Sequence, residues 1–150
     1  MTPTKKTVSN WAVTAVVLLM TVSSAASANP AASCEEAEEH AATLKTWPAL
    51  YSAFERYGRC DDGSIAEGFD ESVYNLLGKL NASELKLASV LFTKSHTFQD
   101  FTLRHVRSAT VLREQYDKAV NRLAIVCSRQ RTQTCDSLVD AARSAEGVPD

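Results

Sequence analysis

Four cysteines, Cys34, Cys60, Cys127 and Cys135, follow a stretch that reads as an export leader, and the combination limits the kind of domain this chain can build. Lys5 and Lys6, the apolar run Trp11 to Val22 and the small residues Ala26-Ser27-Ala28 have the charge, length and cleavage chemistry of a signal peptide over residues 1–28. Such a leader delivers the remainder, residues 29–150, to an oxidising compartment, where an even cysteine count reads as a disulfide framework. The expected location is periplasmic or secreted.

Four cysteines allow three connectivities. Cys34–Cys60 with Cys127–Cys135 is the expected one, because each pair then joins neighbouring segments of the helical pattern described below. Separations of 26 and 8 residues lack the close cysteine pairs of a structural zinc site, and no histidine lies at ligand spacing from another. No metal or cofactor is therefore expected. Ala31-Ala32-Ser33-Cys34 resembles a lipoprotein box, yet it lacks the usual Leu, and acylating Cys34 would leave an odd number of thiols. Beyond Val22 nothing approaches the roughly 20 apolar residues of a membrane-spanning helix, so no membrane anchor is expected.

The whole chain carries 16 basic and 18 acidic residues, and without Lys5 and Lys6 the net charge moves from −2 to −4. Nucleic acid is a poor match for that balance. The charge is also unevenly spread. Residues 34–71 are mainly acidic and residues 86–131 mainly basic, so the two segments are expected to fold against each other with their fields largely cancelling.

Apolar residues recur at helical spacing almost throughout. Ser33-x-x-Glu36 is a capping box that opens a helix over about 34–45, with Glu35, Glu36, Glu38 and Glu39 in its first turns. Trp47, Leu50, Tyr51, Phe54 and Tyr57 make an aromatic core stripe from Pro48 to Gly58. Ser64-x-x-Glu67 reads as a second capping box, opening a helix to about Leu80 with Ile65, Phe69, Val73, Leu76, Leu77 and Leu80 inward. Asn81 caps a helix that buries Leu87, Val90 and Leu91, and a fifth over about 97–107 buries Phe98, Phe101, Leu103 and Val106. A sixth, about 110–127, turns Leu112, Tyr116, Ala119, Leu123 and Val126 inward, and a last one runs from about Thr134 to Ser144. The expected architecture is all-α, a compact orthogonal bundle of six or seven short helices with two disulfides in a single domain.

Chemistry is sparse in this frame. Asp62-Gly63-x-Ile65 matches part of an EF-hand loop, but Gly58, Cys60 and Phe69 then stand at ligand positions. No strained nucleophile turn occurs, and no Ser–His–Asp triad can be picked out. His105, one turn beyond Phe101, reads as a core or rim histidine, with His96 in a loop and His40 on the acidic helix. Asp61, Asp62, Glu67, Asp70 and Glu71 make a second acidic group after the Glu35, Glu36, Glu38, Glu39 run. They are expected to form an exposed ridge, with Glu67 also capping its helix. A hydrolase of envelope polymer would use Glu67 as its acid, with a second carboxylate nearby.

The stretch Cys60-Asp61-Asp62-Gly63-Ser64-Ile65-Ala66-Glu67-Gly68-Phe69 resembles a segment of small exported proteins of proteobacteria. With the export leader, helical design and disulfides, it is distantly similar to periplasmic immunity proteins of type VI secretion amidase systems. That resemblance implies a binding protein that blocks an envelope-targeting enzyme, and it transfers no functional residue. Two classes of function are thus expected: a protein-binding module whose acidic ridge meets a cationic toxin or enzyme surface, and a small hydrolase using Glu67. A structural or stress protein of the envelope without a discrete site is the third reading.

Overall fold

Helix starts in this chain are written in short polar side chains. The computed structural model describes residues 33–108 and 110–145, and the expected signal peptide lies outside the described residues. Ser33 accepts a hydrogen bond from the Glu36 N–H and starts α1, Cys34–His40, which tightens into a 3₁₀ turn at Ala41–Thr43. Thr46 caps α2, Trp47–Tyr57, with Pro48 in its first turn, and a second 3₁₀ turn spans Gly58–Cys60.

Next come α3 at Gly63–Leu77, α4 at Ala82–Lys94, α5 at His96–Ser108, α6 at Arg113–Arg129 and α7 at Gln133–Arg143. Asn81 accepts from the N–H groups of Ser83 and Glu84, Ser95 from Phe98, and Thr132 from Cys135. The described residues thus form an all-α bundle of seven helices, without a strand among them.

Both disulfides join the expected partners. Cys34–Cys60 ties the start of α1 to the turn before α3, and Cys127–Cys135 ties the end of α6 to the start of α7. By loop closure in the unfolded chain, each contributes roughly 2–4 kcal/mol.

Helix α3 is the centre of the bundle. It packs against α5, α6 and the Ala41–Thr43 turn. The turn comes so close that a Cβ built on Gly68 would lie 2.8 Å from the Ala41 Cβ and 3.0 Å from the Ala42 nitrogen. Buried Ser72 seals the same junction, donating to the Ala41 carbonyl and accepting from the Leu44 N–H. On the other side the Tyr74 hydroxyl donates to the Val106 carbonyl. Around α3, Trp47, Tyr51, Phe54, Phe69, Phe92, Phe98 and Phe101 make one connected set of ring contacts that ends on the imidazole of His105.

Three local expectations are corrected. The cap of α3 is Asp62, whose carboxylate accepts from the Gly63 N–H, whereas Ser64 lies inside the helix and donates to Glu38. On α4, Leu91 is buried as expected and Leu87 packs against the core, but Leu85, Ala88 and Phe92 complete the buried stripe and Val90 is 56% exposed beyond its edge. Leu112 is 76% exposed, since α6 begins after it and it belongs to the preceding loop.

Candidate functional site

Of the five carboxylates expected on an exposed ridge, two point into the protein. Asp70 is 1% exposed on the buried face of α3, and the Asp61 side chain is 5% exposed just before that helix. The corrected arrangement places both beside His105 of α5. The ring Nδ1 lies 2.7 Å from Asp70 Oδ1, and Nε2 lies 3.3 Å from Asp61 Oδ2 without the alignment of a hydrogen bond. Asp70 accepts further hydrogen bonds from the hydroxyls of Ser108 and Thr110 and from the Thr110 N–H. Asp61 pairs with Arg104, whose guanidinium is largely in solvent.

The electrostatics follow from this packing. Burial pushes both carboxyl pKa values up, but His105, with Ser108 and Thr110 at Asp70 and Arg104 at Asp61, more than offsets it, and both lie below their ordinary value of 3.8. Burial pushes the His105 pKa down, and its contacts with Asp61 and Asp70 outweigh that effect, leaving it above 6.5. Below the raised His105 value the cluster is an ion triplet, one imidazolium between two carboxylates.

Its geometry does not suit nucleophilic catalysis. In a nucleophile triad the serine faces one ring nitrogen and the carboxylate the other. Here both ring nitrogens face carboxylates, and Ser108 donates to Asp70. Nor do the three groups converge on a point for a cation, since the carboxylates sit at opposite nitrogens; no metal-holding group of His, Cys, Asp or Glu occurs among the described residues. What the cluster does is tie the turn before α3, the middle of α3, the end of α5 and the α5–α6 loop together.

The remaining three acids face outward. Asp62, Glu67 and Glu71 are exposed. Glu67 and Glu71, one helical turn apart, line a groove of about 500 Å³ together with Ser64, Gly68, Ala42 and, across from them, Thr110 to Leu112 and Gln115. Glu38 joins the same face from α1 through its hydrogen bond with Ser64. Neither Glu67 nor Glu71 has a side-chain ion pair among the described residues, whereas Gln115 donates to the backbone carbonyl of Glu71.

The expected cancellation between acidic and basic segments is thus local. It is realised at Asp61 with Arg104 and at Asp70 with His105, and the Glu38–Glu67–Glu71 face stays unneutralised by ion pairs. A second hollow of about 550 Å³ lies between α6 and α7, floored by Val120, Leu123 and Ala142 and rimmed by Arg131, Arg143, Asp136 and Asp140. Its rim carries both signs of charge.

Sequence reasoning missed the inward role of Asp61 and Asp70. A signal existed for Asp70, which shares a helical face with Val73, Tyr74 and Leu77. No local pattern marks Asp61, whose burial depends on a helix 43 residues further on. No protein-family model matches this chain, no curated protein matches it, and no solved structure matches it. No helix among the described residues is long and apolar enough to cross a membrane.

Proposed function

We propose that this chain is an exported, periplasmic or secreted, binding protein whose acidic face, centred on Glu67 and Glu71 and flanked by Glu38 and Asp62, docks a cationic protein surface. One observation carries the reading. Two like charges stand a turn apart, exposed and unpaired, on a groove whose opposite edge presents the 76% exposed side chain of Leu112. Like charges at that spacing cost a few tenths of a kcal/mol, and a partner bringing Lys or Arg beside an apolar side chain relieves the repulsion while covering Leu112. An immunity protein or inhibitor that blocks an envelope-targeting enzyme is the concrete form of such a module.

A hydrolase working through Glu67 finds less support. A general acid of that kind sits in an apolar, shielded pocket against a second carboxyl group, whereas Glu67 is exposed on an open groove.

The disulfide-bonded protein, used as bait against envelope extracts of the producing strain and of competing strains, provides the test. Asp62→Asn, Glu67→Gln and Glu71→Gln together should slow association with a retained partner, and raising salt should weaken the wild-type complex more than the variant complex. A complex indifferent to both changes would reduce the acidic face to solvated surface. Peptidoglycan digestion by the wild type that disappears in Glu67→Gln would instead establish the hydrolase.

A further inference from the structure

The Asp61–His105–Asp70 cluster has an asymmetry that the binding reading does not use. Asp70 is held by four donors, from His105, Ser108 and Thr110. Asp61 is held by the largely exposed Arg104 and by a 3.3 Å contact with His105 Nε2, and its Oδ1 is buried without a hydrogen-bond partner. We propose that the Gly58–Asp62 turn is a proton-gated latch, closed by the imidazolium of His105 and opened when that proton leaves, which swings Asp61 out beside Asp62 on the acidic face.

The direction comes from the ring itself. An imidazolium donates from both nitrogens, but a neutral imidazole donates from one and accepts at the other. The short contact with Asp70 retains the proton at Nδ1, so Nε2 becomes a lone pair facing the Asp61 carboxylate. Repulsion at 3.3 Å then replaces attraction, and rotation into water also hydrates the orphaned Oδ1.

Among the charged surroundings of His105, one group restrains Asp61, the Arg104 guanidinium, which is largely in solvent and free to follow the carboxylate outward. Helix α3 contributes Asp70, the preceding turn Asp61, and α5 itself Arg104; α2 and α4 meet α5 through Phe54 and Phe92, and the charged residues of α7, Asp136, Asp140 and Arg143, are exposed. The opening stays local for two reasons. The Cys34–Cys60 disulfide anchors the turn at Cys60, and Asp70 keeps its bonds to the α5–α6 loop.

That opening presents more charge to a partner rests on the proposed binding function; the latch itself does not. NMR of the disulfide-bonded protein between about pH 5 and 9 tests it, following the His105 ring and backbone amides together with hydrogen exchange normalised for pH. The His105 ring should titrate with a midpoint above 6.5, the value it starts from. Amides of residues 58–62 should move with the same midpoint while those of 110–112 stay nearly still. Protection of the turn should fall about tenfold for each pH unit by which that midpoint exceeds the His105 midpoint in Asp61→Asn, where Asp70 alone holds the proton.

His105→Asn keeps a donor toward Asp70 without the charge and should leave the turn open at every pH. Asp61→Asn should abolish the pH response even if His105→Asn fails to fold. Equal movement of both segments, or a turn that ignores the His105 titration, would overturn the latch. The acidic-face reading is checked separately with tetralysine as probe: its binding should strengthen as the turn opens in wild type and not in Asp61→Asn. An opening latch without that change would count against the face as the contact surface and against the charge display proposed here.

Discussion

At the scale of single residues, the chain spends its most costly chemistry on Asp70 and His105. An unpaired ion in that position would be severely unfavourable, and only the mutual pairing with the hydroxyls of Ser108 and Thr110 makes burial tolerable. This has a signed consequence for stability. Asp61 and Asp70 have lowered pKa values in the folded protein, so their contribution is complete above about 3.8 and is lost as pH falls through the lowered values. His105 has a raised pKa, so its contribution is complete below 6.5 and is lost as pH rises through the raised value. Urea unfolding across pH should therefore show a plateau between about 4 and 6.5 with a decline on both sides. In Asp61→Asn the alkaline decline should shrink, because one of the two carboxylates that hold the proton on His105 is gone.

At the scale of helices and turns, the start of α3 separates what a linear pattern reveals from what packing decides. Two registers were available, Asp62 before Gly63 or Ser64 before Glu67, and both fit cap chemistry. Gly63, at φ +52°, and the close of the Cys60 turn settle it for Asp62. Asp62→Ala should cost about 0.5–2 kcal/mol in unfolding free energy, and Ser64→Ala, which loses an exposed bond to Glu38, within about 0.5 kcal/mol. The reverse ranking would restore the Ser64 cap. Gly68 was unmarked in sequence, yet its contact with Ala41 and Ala42 is the closest approach in the bundle for which a glycine is required. Gly68→Ala should destabilise by about 1–3 kcal/mol through overpacking, despite the better helix propensity of Ala. The aromatic stripe of α2 and the inward residues of α3 and α5 were legible because periodicity over several turns is unambiguous there. On α4, Val90 competes with Leu85 and Phe92 for the same stripe, and only the neighbouring rings Trp47 and Phe98 choose between them.

At the scale of the whole molecule, two disulfides close a bundle whose central helix is gripped from several sides. Replacing Cys127 and Cys135 with Ser should lower stability by roughly 2–4 kcal/mol, and replacing Cys34 and Cys60 should do at least as much, because the longer loop loses more closure entropy. The disulfide pairs could be anticipated, since each spans a single turn or hairpin. The division of the acidic cluster could not, because it depends on α5 meeting α3 with His105 between Asp61 and Asp70. That division is the central claim: two carboxylates hold the fold and the others are displayed. It is tested most directly by urea unfolding, at a pH inside the plateau, of Asp61→Asn/Asp70→Asn beside Glu67→Gln/Glu71→Gln. The aspartate pair should lose about 3–5 kcal/mol by stranding a buried imidazolium, while the glutamate pair should stay within about 0.5 kcal/mol of wild type. Equal losses, or a larger loss for the glutamates, would contradict the account.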